Sequence, residues 1–153
     1  MMNPVRKIYV ALAAACLLLT LAATTEAQRR PRAYMKAEVN DIIRRVENRS
    51  DEFVRLFDSS LDRSRLDGTK REDRLNEHAR NLERALDDLR REFDRRENYN
   101  QTKPEVSRAL NVAEDINKVM RRRRMGGETE RQWLLLRSEL NALALVYNLR
   151  PLR

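Results

Sequence analysis

Four stretches of the chain carry apolar residues at spacings of three and four, each bounded by turn or capping residues. That period matches a helix of 3.6 residues per turn, not the two-residue alternation of a half-buried strand. Only three glycines and four prolines occur in 153 residues, aromatics make up 5% and charged residues 37%. Few turns and many charges favour long amphipathic helices over sheets.

The first stripe is Val39, Ile42, Ile43, Val46, Phe53, Phe57 and Leu61, interrupted by Ser50, and predicts a helix over 34–61. Leu66-Asp67-Gly68-Thr69 breaks the pattern. Thr69 with Glu72 reads as a capping box that starts a second helix over 70–97, with the stripe Leu75, Ala79, Leu82, Leu86, Leu89 and Phe93. Thr102 with Glu105 reads as another, and Pro104 suits a first helical turn, so a third helix is expected over 103–124. Gly126-Gly127 is a stop. Thr129 with Gln132 predicts the start of a fourth helix over 130–147, where Trp133, Leu136, Leu140, Leu143 and Tyr147 are flanked by Leu134, Leu135, Leu145 and Val146. That wide apolar arc makes the fourth helix the one expected to be most buried.

Short connections between helices favour antiparallel neighbours, so the expected fold is all-α, an antiparallel up-down four-helix bundle. The competing arrangement is a long α-hairpin with a shorter helical pair. At 1.5 Å per residue the first two helices span about 40 Å and the fourth about 27 Å. The mismatch leaves part of the longer pair open, as a groove or as the surface of a homodimer. A shift of 36 residues aligns Arg44, Glu47, Asp51, Arg55, Phe57 and Asp58 with Arg80, Glu83, Asp87, Arg91, Phe93 and Asp94, an internal echo between the first two helices.

The first 27 residues set the compartment. Arg6 and Lys7 precede an apolar run from Ile8 to Leu21, and Thr25-Glu26-Ala27 offers small residues for cleavage after Ala27, which is the anatomy of a secretory signal peptide. The run falls short of the about 20 residues a transmembrane helix needs. The expected mature chain is therefore 28–153, exported to the periplasm or beyond, with no transmembrane helix: a basic flexible arm at 28–33 and one helical domain at 34–153. Cys16, the only cysteine, leaves with the leader, so no disulfide, thiolate metal site or cysteine nucleophile is expected.

Chemistry is sought in vain. His78 is the sole histidine and sits at the edge of an apolar stripe; one histidine excludes a di-iron bundle with two Glu-x-x-His pairs. No nucleophile elbow, glycine-rich phosphate loop or haem-attachment motif is present. Asp62 to Asp73 faintly resembles a calcium loop, but Arg63 and Arg65 stand at ligand positions and repel a cation. No catalytic residue, metal or cofactor is expected.

Charge is the informative feature. The formal net charge of +8 becomes +7 once Arg6, Lys7 and Glu26 are removed with the leader. The surplus lies in the arm, through Arg29, Arg30 and Arg32, and in 103–125, through Arg121, Arg122, Arg123 and Arg124. Cations at a helix C-terminus contribute only about 0.3–1 kcal/mol each, and four in a row repel one another. These seven arginines are the candidate anion-binding residues. In the expected bundle, Arg121–Arg124 share one end with Arg63, Arg65 and Lys70, and the arm shares the other with Arg150 and Arg153, giving two basic poles. Export removes nucleic acid from the expected partners and leaves an anionic envelope component or an acidic protein.

The function expected is therefore a non-enzymatic structural or adaptor protein of the cell envelope. The alternative is a periplasmic holdase chaperone or envelope-stress sensor. In size, charge and helical content the chain resembles exported chaperones of the Spy/CpxP kind. Their Leu-Thr-x-x-Gln signature is missing, because Leu19-Thr20 is followed by Leu21-Ala22-Ala23. The likeness is one of class and carries over no site residue.

Overall fold

Helix propensity and burial divide residues 34–153 into four helices, and these are the residues that the computed structural model describes. The expected leader and the expected arm with Arg29, Arg30 and Arg32 lie outside the described residues. The elements are α1 (Lys36–Asp62), α2 (Lys70–Arg95), a 3₁₀ turn (Tyr99–Thr102), α3 (Lys103–Arg122) and α4 (Gly127–Val146). The fold is an all-α helical bundle, with no strand among the described residues.

The stripes become one core. Val39, Ile43, Val46, Phe53, Phe57 and Leu61 from α1 meet Leu82, Leu86, Leu89 and Phe93 from α2, Val106, Ala109 and Ile116 from α3, and Leu136, Leu140 and Leu143 from α4. Phe53 centres the aromatic packing, its ring 5.2 Å from Phe57 and 5.1 Å from Trp133. Each helix packs against the two beside it: α1 on α2 and α4, α3 on α2 and α4. Bonds between helices fix their directions. Arg90 of α2 reaches Glu47 and Asn40 of α1, while Lys36 donates to the Arg96 carbonyl, so α1 and α2 run oppositely. Arg45 pairs with Glu139 and Ser60 with Thr129, so α1 and α4 do too.

The helix ends depart from the expected caps in instructive ways. Thr69 Oγ1 accepts the Glu72 N–H at 3.3 Å as a cap should, but the Glu72 carboxylate reaches one residue further back, to the Gly68 N–H at 2.7 Å. The Thr102 hydroxyl caps nothing: it donates to the Tyr99 carbonyl at 2.7 Å and shares a 2.8 Å bond with the Tyr147 hydroxyl. Pro104 does fall in the first turn of α3. The fourth helix begins three residues earlier than the capping pair implied. Gly126, at φ +93°, is its N-cap, a backbone angle that glycine takes without strain. Thr129 is therefore inside α4, buried, with its hydroxyl bonded to Ser60 and the Leu56 carbonyl. The glycine pair starts this helix as well as ending the previous stretch.

The C-terminus of α4 is closed by Asn148 in the left-handed region, at φ +51°. Leu149 N–H bonds the Ala144 carbonyl at 2.8 Å and Asn148 N–H the Leu145 carbonyl at 3.2 Å, the two bonds of a Schellman closure. The chain reverses there. Its tail runs back between α3 and α4, where Asn141 both donates to the Leu152 carbonyl and accepts the Leu152 N–H, and Leu152 is buried.

Candidate functional site

The run Arg121–Arg124 straddles the end of α3: Arg121 and Arg122 occupy its last turn, Arg123 is the C-cap and Arg124 lies in the loop beyond. These arginines, with Arg137 from α4, surround a cavity of about 340 Å³ whose apolar side is Met120, Trp133 and Leu134. Trp133 is buried and Leu134 is 54% exposed, so an apolar wall meets solvent inside a ring of guanidinium groups.

The arginines of this ring are not equivalent. Arg124 lies 3.8 Å from Glu130, and Arg121 donates to the Arg153 main-chain oxygen at 3.5 Å. Arg122, Arg123 and Arg137 have no carboxylate within 4 Å among the described residues. On the α1–α2 flank the opposite holds: Arg55 pairs with Glu52, Arg91 with Asp88, and Arg95 and Arg96 with Glu92. Arg90 holds Glu47 with both arms of its fork, and that bond raises the Arg90 pKa further. The flank arginines neutralise neighbouring carboxylates, whereas three at the end of α3 and on α4 keep their hydrogen-bonding capacity.

Asn117 supports the cavity from below. It is fully buried, accepts the Trp133 indole N–H at 3.4 Å and donates to the Arg153 main-chain oxygen at 2.6 Å. The returning tail thus contacts Asn117 and Arg121, two residues that line the cavity.

That path corrects the expected pair of poles. Arg63 and Arg124 do line one cavity at the loop end, as the bundle required. Arg150 and Arg153 do not sit at the far end. The Schellman reversal carries them back along α3, where they line a cavity with Lys118 and Arg121. Among the described residues, Lys118, Arg121, Arg150 and Arg153 gather along α3 and the tail.

Two further groupings lie outside the arginine ring, one in the loop already weighed as a calcium site and one that the sequence reading did not name. The Asp62, Asp67 and Glu72 carboxylates converge to within 4.8 Å, although the loop between them holds Arg63 and Arg65. Glu72 already accepts the Gly68 N–H there, and no ligand is indicated. The second is a cleft of about 310 Å³ between α1 and α2, lined by Glu47, Asp51, Glu83 and Asp87 around Ser50. Partial burial raises the Glu83 pKa first, with Asp51 and Asp87 adding to it and Arg80 opposing. Ser50 is 1% exposed, and its hydroxyl has no hydrogen-bond partner. An orphaned buried polar group costs about 1–3 kcal/mol.

His78 is half-buried at the edge of the α2 stripe. No helix among the described residues is long and apolar enough to cross a membrane. Comparisons with protein-family models, with characterised proteins and with solved structures return no match.

Proposed function

We propose that the chain is an exported, non-enzymatic protein of the cell envelope, an antiparallel up-down four-helix bundle that binds anionic groups through the arginine-ringed end of α3. The leader anatomy of residues 1–27 supports export. One observation carries the binding assignment: Arg122, Arg123 and Arg137 lack carboxylate partners while surrounding an apolar wall of Met120, Trp133 and Leu134. Guanidinium forks match phosphate and carboxylate oxygens, and the apolar wall suits an anion carried on an apolar body, as at a lipid headgroup.

The test is flotation with vesicles containing anionic lipid, read against salt. Each arginine near an anionic surface contributes about 1 kcal/mol, so changing Arg122, Arg123 and Arg137 together to glutamine should weaken binding about 100-fold. Binding should also fall as salt rises. The flank arginines Arg55, Arg91 and Arg95, changed likewise, should cost less than about threefold, because none of them lines the apolar wall and their charges are screened at a distance from it. Equal losses from both triples, or a flat salt response, would discard the assignment. Binding that ignores vesicles but follows an acidic protein would move it to that partner.

One feature favours the holdase reading as a second choice. Leu134 and Leu145 stand 54% and 64% exposed on α4, eleven residues apart and so on one helical face. A holdase would suppress aggregation of an unrelated unfolded protein, and Leu134→Gln with Leu145→Gln should abolish that effect.

A further inference from the structure

The 36-residue echo between α1 and α2 has a structural consequence. Glu47 and Asp51 on α1 correspond to Glu83 and Asp87 on α2, and all four line one cleft. Each pair is spaced by four residues, so like charges face each other along each helix as well as across the cleft, an arrangement that opposes folding. Of these four carboxylates Arg90 pairs only with Glu47, its other partner being Asp94 outside the cleft. Asp51, Glu83 and Asp87 have no cation within 4 Å among the described residues. At the foot of this cleft Ser50 is almost wholly buried, and its hydroxyl bonds to nothing.

We infer that this cleft is a binding site for an organic cation bearing ammonium or guanidinium groups, with Asp51, Glu83 and Asp87 as its counter-charges and Ser50 as a hydrogen-bond acceptor. The carboxylates are too dispersed for one bare metal ion. Ligand oxygens on a single calcium ion lie 2.3–2.6 Å from it and so within about 5 Å of one another. Among the described residues, only Asp62, Asp67 and Glu72 converge that closely. A cation with donors spread over several ångströms matches the dispersed set. Its methylene stem can lie on Leu86, which lines the cleft from the core. A serine hydroxyl offers acceptor lone pairs for an N–H of such a ligand. The required chemistry has two sources: a free polyamine, or the arginine side chains of a second copy, whose Arg122 and Arg123 lack carboxylate partners.

Spermidine is the probe for the first source, titrated calorimetrically into the full chain with magnesium chloride as a separate titrant. One-to-one binding is expected, with at least about a tenfold loss when Asp51→Asn and Glu83→Gln are combined, since each charge-assisted bond is worth about that factor. Those changes remove repulsion, so circular dichroism should show an intact fold. Ser50→Ala should weaken spermidine binding severalfold without lowering the urea midpoint, because it deletes an unpaired hydroxyl. If the chain is a monomer, Arg122→Gln with Arg123→Gln should leave spermidine binding unchanged, separating this site from the anion site. Sedimentation velocity addresses the second source. Self-association that spermidine reverses, and that Arg122→Gln with Arg123→Gln abolishes, assigns the cation to a second copy; a monomer that binds spermidine assigns it to a free ligand. Magnesium displacing spermidine at equal concentration, or the absence of both binding and association, would overturn the proposal.

Discussion

Asn117→Ala strikes the point where core, tail and arginine ring meet, and its cost can be worked from three contacts. The Trp133 indole N–H loses its acceptor inside the core. An orphaned buried donor costs about 1–3 kcal/mol, and the 3.4 Å length of this bond places it in the lower half of that range. The 2.6 Å bond to Arg153 is better made, but Arg153 is exposed and water can replace it, so its loss costs about 0.5–1.5 kcal/mol. Alanine returns about 0.5 kcal/mol through its higher helix propensity. The net destabilisation should be about 2 kcal/mol. Urea unfolding followed by Trp133 emission measures it well, because Trp133 is the only tryptophan. The midpoint should fall with an unchanged slope, and the native emission should shift as the indole loses its partner. Asn111→Ala is the control: Asn111 is exposed on the same helix, so only the propensity gain should remain. A loss below about 0.5 kcal/mol for Asn117→Ala would refute the reasoning, because it would mean that water already satisfies the indole and the amide bridge holds nothing.

The two glycines at the start of α4 should respond oppositely to alanine: Gly126→Ala forces a side chain into φ +93° and should cost about 1–2 kcal/mol, whereas Gly127→Ala, inside the helix with open space for a Cβ, should gain about 0.4–1 kcal/mol in thermal or urea unfolding. Burial pushes the Tyr147 phenol up to about 12, against the opposing effect of its bond to Thr102. The folded-state pKa lies above the unfolded value of about 10, so this contribution is whole below pH 10 and is lost between pH 10 and 12. Unfolding free energies from urea titrations across that window should fall by up to about 2 kcal/mol more in the wild type than in Tyr147→Phe, and parallel profiles would refute the assignment.

What the sequence made legible is what depends on local period. The stripes of α1 and α2 predict their buried residues almost one for one, because a helix of fixed pitch turns spacing directly into a face. Helix ends were legible only where the capping group had no tertiary rival. Thr69 had none and caps α2. Thr102 had Tyr147, 45 residues away, and its hydroxyl went there. Thr129 had Ser60 and the Leu56 carbonyl across the α1–α4 contact, which left the N-cap to Gly126. The breadth of the α4 stripe misled in a related way. An apolar arc of Leu134, Leu135 and Leu145 implied the most buried helix, yet Leu134 and Leu145 are among its exposed residues. The tail takes up one side of α4 through Asn141 and Leu152, and nothing in the described residues covers the other.

Segment sums of charge proved the least transferable reading, for a reason that lies in helix geometry. Residues 62–97 hold equal numbers of basic and acidic side chains, which suggests a neutral flank. A helix sorts charges by face, however, and sequence order does not record the sorting. Arg91, Arg95 and Arg96 are occupied by Asp88 and Glu92 on one side of α2, while Glu83 and Asp87 turn to a different side and meet Asp51 of α1. A segment with no net charge therefore contributes to a strongly negative cleft. The same sorting works in reverse at the end of α3, where four consecutive arginines cannot share one face. Arg121 turns toward the tail and Arg124 toward Glu130. The ring around Trp133 is completed from another helix, by Arg137, thirteen residues beyond the run. Both candidate sites thus arise where two helices bring together charges that each helix alone had separated, and neither could be counted from one stretch of chain.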